Sequence, residues 1–448
     1  MTEINGRPYW ELTFDKDGTL SSPAPEDFLE QVQSQGITEL FIFSHGWGNS
    51  VQGARNLFSS MFSLIEPQAA GTTGLGARGY VGVFWPSLWF PDPPPDAAAS
   101  VAAEVSAGRP GAAAAALTGA EIATTLSDSF PEQGQKATVA QLGQLIDQGL
   151  AGVASEPDEV QEARLASFHT QLSQLIPPQQ QPAEDNGAAA VIATDDPKSA
   201  YATLAKAMGT ATVEGDAQGL GSLFGKVWAG AKDALRTSSY WEMKARAGTV
   251  GKTGLGPLIE KLHEKSPEVR VHLIGHSFGA RLASFAIAGI SSAAASPVCS
   301  LTLIQGAFSH YAFSHKQDMP FGTAGALNAF VDRVHGPLVS TFSTNDWAVG
   351  KWYPRASFVS QQDAEADVDP MMQWGGFGAH GFQAVDPLQA SDLQPEQQPY
   401  SFTAGHFYAI NSSAIVADVK QSSFSGAHSD IEHPEVSWLV VSAARAAD

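Results

Sequence analysis

Apolar and polar positions change period several times along this chain, and those changes mark out its elements. Residues 9–14 (YWELTF) alternate and predict a first strand, turned by Asp15-Lys16-Asp17-Gly18. Residues 24–35 predict a short helix. Residues 39–44 (ELFIFS) and 80–85 (YVGVFW) are apolar runs, the pattern of strands covered on both faces, and a helical pattern over 51–66 separates them. Strand, helix and strand in this order predict a mostly parallel sheet with helices on both faces, an α/β fold.

The alternation breaks at Pro91-Asp92-Pro93-Pro94-Pro95. From there to Ser238 no strand pattern occurs, and helical patterns recur at 112–127, 140–150, 159–175, 198–208 and 220–236. Residues 91–238 therefore read as a helical insertion into one domain built from 1–90 and 239–448. Within it, 177–197 opens with Pro177-Pro178-Gln179-Gln180-Gln181-Pro182 and reads either as an exposed connector or as disorder. Residues 240–248 read as a helix end and 258–264 as a helix, 269–274, 301–305 and 337–343 predict strands, and 406–416 contains a last strand. Residues 357–399 read as loop. A last helix starts at Pro434, where proline fits the first turn and Glu435 suits the helix dipole.

The candidate chemistry sits at one of these junctions. Gly275-His276-Ser277-Phe278-Gly279 lies between the 269–274 strand and an Ala-rich helical pattern. A G-x-S-x-G turn in that context holds its serine in a strained conformation above the strand end, with glycines where a Cβ would clash. A serine hydroxyl needs an imidazole to take its proton, and the imidazole needs a carboxylate to orient it. After such a turn the partners follow in the order acid, histidine. Asp346 follows the second strand after the turn, and His428 lies in a small-residue loop after the last strand. Asp318 and Asp332 do not directly follow an apolar strand, and Asp430 is expected to cap the terminal helix. For the oxyanion, the expected donors are the backbone N–H groups of Phe278 and of Trp47, in the turn His45-Gly46-Trp47 after the 39–44 strand. His45, Gly46, Gly275, His276 and Gly279 are supporting residues on this reading.

Two other motifs compete. Gly248 to Thr253 hints at a phosphate loop, but Arg246 stands where the first glycine belongs and no strand precedes it. His428, Asp430 and His433 have a ligand-like spacing without a partner cluster, so no metal and no cofactor is expected.

The motifs at 45–47, 275–279, 344–346 and 427–430 resemble an α/β-hydrolase-fold serine hydrolase. Met243-Lys244-x-Arg246-Ala247-Gly248 and His428-Ser429-Asp430-Ile431 are similar to a group of bacterial esterase- or lipase-like proteins. The resemblance covers about 8–90 and 239–445 and leaves out the insertion. It implies cleavage of a carboxylic ester through an acyl-enzyme, with a small-molecule or lipid ester as substrate. An amide- or thioester-cleaving hydrolase, or a non-catalytic binding module on the same scaffold, is the alternative. One departure is the 81 residues between Asp346 and His428, which imply an inserted loop over or beside the site.

Composition narrows the setting. A net charge of -21 argues against nucleic acid or anionic membrane as partner through a basic surface. No run of 18 apolar residues predicts a membrane span, and the first residues lack a basic and apolar leader, which points to the cytoplasm unless export is signal-independent. The single cysteine, Cys299, forms no internal disulfide and is expected to be buried. The insertion carries Trp85, Pro86, Leu88, Trp89 and Phe90 at its exit and Trp228, Leu235, Tyr240 and Trp241 at its return. Those groups either line a lidded acyl pocket or pin the insertion to the core. Oligomeric state is not legible.

Overall fold

The computed structural model describes residues 2–87, 118–127, 130, 132–175, 195–208, 223–315, 317, 322–352, 375–419 and 426–446. Among the described residues ten strands form one sheet: β1 (Thr2–Ile4), β2 (Arg7–Phe14), β3 (Leu20–Ser22), β4 (Glu39–Ser44), β5 (Arg78–Phe84), β6 (Arg270–His276), β7 (Val298–Ile304), β8 (Leu338–Phe342), β9 (Leu388–Asp392) and β10 (Phe407–Asn411). Their order is β1-β2-β5-β4-β6-β7-β8-β10-β9, with β3 beside β2. From β2 to β9 every pairing is parallel; β1 and β3 run antiparallel to β2.

Every residue of β4, β5 and β7 is buried, and in β4 and β5 that cover shows in the sequence as the apolar runs at 40–43 and 80–84. One face is covered by the helices Val51–Ala70 and Pro434–Arg445, through Phe58, Phe62, Val436 and Val440. The other face packs against Pro25–Ser34, Gly256–Lys265 and Phe278–Gly289, through Phe28, Leu258, Leu282 and Ile287. Cys299 is buried and free.

Several elements differ from expectation. The helix read to 66 continues to Ala70 past Pro67. Proline cannot donate to Ser63 O, and that carbonyl instead accepts from Asn5 Nδ2 at 3.3 Å. The separate patterns at 220–236 and 240–248 are one helix, Leu223–Thr249. Within it the buried Ser238 satisfies its hydroxyl by donating back to Leu235 O at 2.7 Å. β9, inside the stretch read as loop, is exposed throughout and carries no apolar period. The last strand expected within 406–416 is Phe407–Asn411.

Between β5 and β6 lie the helices Gly119–Leu126, Gln133–Gly152, Asp158–Leu175, Pro197–Met208 and Leu223–Thr249. They share a core of their own around Phe130, Leu142, Phe168, Tyr201 and Trp228. Most of the 177–197 stretch, and Leu88, Trp89 and Phe90, lie outside the described residues. Leu223–Thr249 runs from that core, at Trp228 and Leu235, into the sheet's core at Met243 and Ala247. It crosses the expected boundary at 238 without a break. Among the described residues no helix is long and apolar enough to cross a membrane.

Candidate active site

The sheet changes direction at β4. The chain leaves β4 for β5 on one side, while β6 on the other side leads on to β7. A crevice opens at the carboxyl ends of strands on either side of such a switch point. His45-Gly46-Trp47 follows β4 there, and Ser277 follows β6.

Ser277 has φ 57° and ψ -123°, a conformation that side chains rarely adopt, and it caps the helix Phe278–Gly289. Both flanking glycines are required by contact. A Cβ on Gly275 would collide with the Gly279 carbonyl and Ala280, and one on Gly279 with the carbonyls of Ser44 and His45. The turn is thereby pressed against the end of β4. Gly46 comes closest to the serine: a Cβ there would lie 2.7 Å from Ser277 Cβ.

Ser277 after β6, Asp346 after β8 and His428 in the segment before the last helix form one line of hydrogen bonds. Ser277 Oγ lies 2.8 Å from His428 Nε2. His428 Nδ1 lies 2.8 Å from Asp346 Oδ2. The buried carboxylate fixes Nδ1–H, which leaves the Nε2 lone pair facing the serine hydroxyl. All three residues are buried, Asp346 almost completely at 1 % exposure. Asp346 Oδ1 accepts the Val349 N–H at 3.0 Å, and Oδ2 accepts a second donor, Gln305 Nε2, at 3.2 Å.

The 81-residue separation is closed by a backbone bridge. Asp346 pairs with Gly426, and Ala427 N–H donates to Asn345 O at 2.9 Å, so the loops of acid and histidine are joined next to the site. Part of the intervening chain, around Gly378, packs behind Asp346 rather than over the serine. Residues 353–374 lie outside the described residues.

Two neutral histidines support this line. His276 donates from Nε2 to the main-chain carbonyl of His428 at 3.0 Å. Burial, and then the neighbouring His428, push its pKa down to about 3. Burial likewise lowers His45 to about 4. Its Nδ1–H donates to Gly46 O at 2.8 Å, and Asn49 Nδ2 donates to the same oxygen at 3.2 Å. In a trans peptide the N–H points opposite to the C=O, so holding Gly46 O fixes the direction of the Trp47 N–H. Phe278 N–H heads its helix and has no partner within it; among the described residues no acceptor bonds it.

Aromatic rings border the two donors. Tyr240 lies 5.6 Å from Trp47 and 5.0 Å from Phe278 between ring centroids, and Trp47 lies 5.9 Å from Phe278. Of the other groups at the insertion's roots, Trp85 stacks on His45 at 5.7 Å, while Trp228, Leu235 and Trp241 pack inside the helical bundle. The root aromatics are thus divided between the site and the insertion's own core. Arg246 Nη1 donates to Pro86 O at 2.9 Å and ties the return of the insertion to its exit.

The competing motifs have other work. Gly251 allows the π-helical turn Val250–Leu255 to press against the carbonyl of Leu282, which leaves no open phosphate cradle. Asp430 does not cap the terminal helix. Its Oδ2 accepts the N–H groups of Ala417 and Asp418 at 2.9 and 2.8 Å, and Oδ1 pairs with His433 Nε2 at 2.9 Å. Among the described residues no group of three or more His, Cys, Asp or Glu is placed to hold a metal ion. Gln305 and Asn49 carried no motif; the only trace of Gln305 is a polar residue ending the apolar run SLTLI.

Compared with models of protein families, with curated proteins and with solved structures, the chain matches none.

Proposed function

We propose that this protein is a serine hydrolase of α/β-hydrolase architecture that cleaves carboxylic esters through an acyl-enzyme. The observation that carries the reading is the unbroken line from Ser277 Oγ through His428 to the buried Asp346, with 2.8 Å at each step. His428 Nε2 takes the Ser277 proton as Oγ attacks the ester carbonyl, and Asp346 stabilises the imidazolium that forms. The backbone N–H groups of Phe278 and Trp47 receive the developing oxyanion. His428 then protonates the leaving alcohol, and a water activated by the same Nε2 releases the acid. No cofactor enters these steps. The substrate on this reading is a small-molecule or lipid ester met in the cytoplasm.

Tyr240 belongs to the helix that returns from the insertion and touches both proposed oxyanion residues. That contact supports an acyl pocket walled partly by the insertion.

A fluorophosphonate probe tests the reading. It is expected to label the protein once, at Ser277, and Ser277→Ala is expected to lose both labelling and turnover of nitrophenyl esters. Labelling of intact wild type elsewhere, or undiminished turnover by Ser277→Ala, would overturn it. Faster cleavage of matched amides or thioesters than of esters would move the substrate class.

A further inference from the structure

We propose that Gln305 is a positioning residue for Asp346, an inference that rests on the hydrolase reading above. Gln305 stands where β7 leaves the sheet, at φ 46° and fully buried. Positive φ is rare for a side chain of this kind, and glutamine gains no local compensation there. The next residue, Gly306, could take such a conformation at little cost. A strained backbone and a buried amide at one position point to work done by the side chain.

That work is legible from the hydrogen bonds. Thr341 Oγ1 accepts the Gln305 N–H at 3.1 Å. Its hydroxyl proton is then free to donate to Gln305 Oε1 at 2.9 Å. Thr341 therefore dictates which end of the amide carries oxygen. The NH2 end is left facing Asp346 Oδ2 at 3.2 Å and Gly378 O at 3.4 Å. Oδ2 is the oxygen that holds His428. A Cβ on Gly378 would come within 2.5 Å of it. The oxygen is thus enclosed by the Gln305 amide, a glycine that leaves it room, and the imidazole. Asp346 itself lies in a turn beyond β8, and the amide links its carboxylate to the ends of β7 and β8.

The chain of action runs Thr341, Gln305, Asp346, His428, and it predicts coupling. Gln305→Met keeps the volume and removes the donor; Thr341→Val removes the group that orients the amide. Each is made alone and with Asp346→Ala, and kcat, KM and the rate of fluorophosphonate labelling are measured, with circular dichroism and urea midpoints reporting the fold. Gln305→Met is expected to lower kcat about 10- to 100-fold with KM within about twofold, as for a displaced reacting group. In the Asp346→Ala background the same change is expected to cost less than about twofold, because its target is gone. Thr341→Val is expected to show the same pattern at smaller amplitude, and it carries the test if Gln305→Met does not fold. Wild-type kcat in folded Gln305→Met, or an equal loss with and without Asp346, would overturn the role while leaving the hydrolase reading intact. Failure of wild type to label at Ser277 would overturn both.

Discussion

Two buried imidazoles make the fold of this protein sensitive to mild acid. His45 and His276 have pKa values of about 4 and about 3 in the folded chain, against 6.5 for an ordinary histidine. Well above pH 6.5, as at pH 8, they are neutral whether folded or unfolded and contribute almost nothing to pH dependence. Below it the unfolded chain takes up a proton on each that the folded chain refuses, so stability falls with pH down to the folded values. At pH 5 each histidine removes about 2 kcal/mol relative to pH 8, and the pair about 4 kcal/mol. That is a large part of the roughly 5–15 kcal/mol by which domains are stable. Urea unfolding at pH 8, 7, 6 and 5 measures it, with His276→Gln and the double change His45→Gln/His276→Gln. Glutamine does not titrate and retains a donor. The fall in unfolding free energy from pH 8 to 5 is expected to shrink by about 2 kcal/mol in the single variant and about 4 kcal/mol in the double, whatever each costs at pH 8. Equal falls in wild type and double variant would refute the neutral, buried state of both rings.

Asp346→Asn is expected to lower kcat by about 10⁴-fold, since the amide favours the wrong imidazole tautomer, whereas Asp430→Asn is expected to leave kcat within a few-fold; steady-state kinetics on a nitrophenyl ester distinguishes them. Gly46→Ala places a methyl against Ser277 and is expected to cost about 10²- to 10³-fold in kcat, comparable with loss of an oxyanion donor, while native mass and circular dichroism stay unchanged. Tyr240→Ala removes one wall of the aromatic cluster and is expected to alter KM for long acyl chains by about tenfold, with short esters within about twofold; an unchanged chain-length profile would detach the insertion from substrate choice.

What was legible in the sequence was whatever local pattern dictates. The central strands declare themselves because burial on both faces favours an unbroken apolar run, as at 40–43 in β4. The turn at Ser277 is legible because glycines must flank it. β9 was not legible: it lies at the sheet's edge, fully exposed, and is specified by pairing with β10. The union of two helical patterns into Leu223–Thr249 was hidden because the polar residues 237–239 between them interrupt the apolar period without interrupting the helix. Gln305 acts across 41 positions of chain and Asn49 on one peptide plane, and neither relation leaves a periodic trace.

The distances along the chain within the candidate site have a consequence for when it comes into being. Ser277 and His428 are 151 positions apart, and His428 and Asp346 are 82. Synthesis delivers Ser277 first, and the proposed base, His428, only after β8, β9 and β10. On the proposed hydrolase reading, Ser277 gains that base only once the 426–428 segment has emerged and paired beside Asp346. On that reading, a nascent chain that has not reached residue 428 is expected to be inactive even though its last strand, β10, is already made.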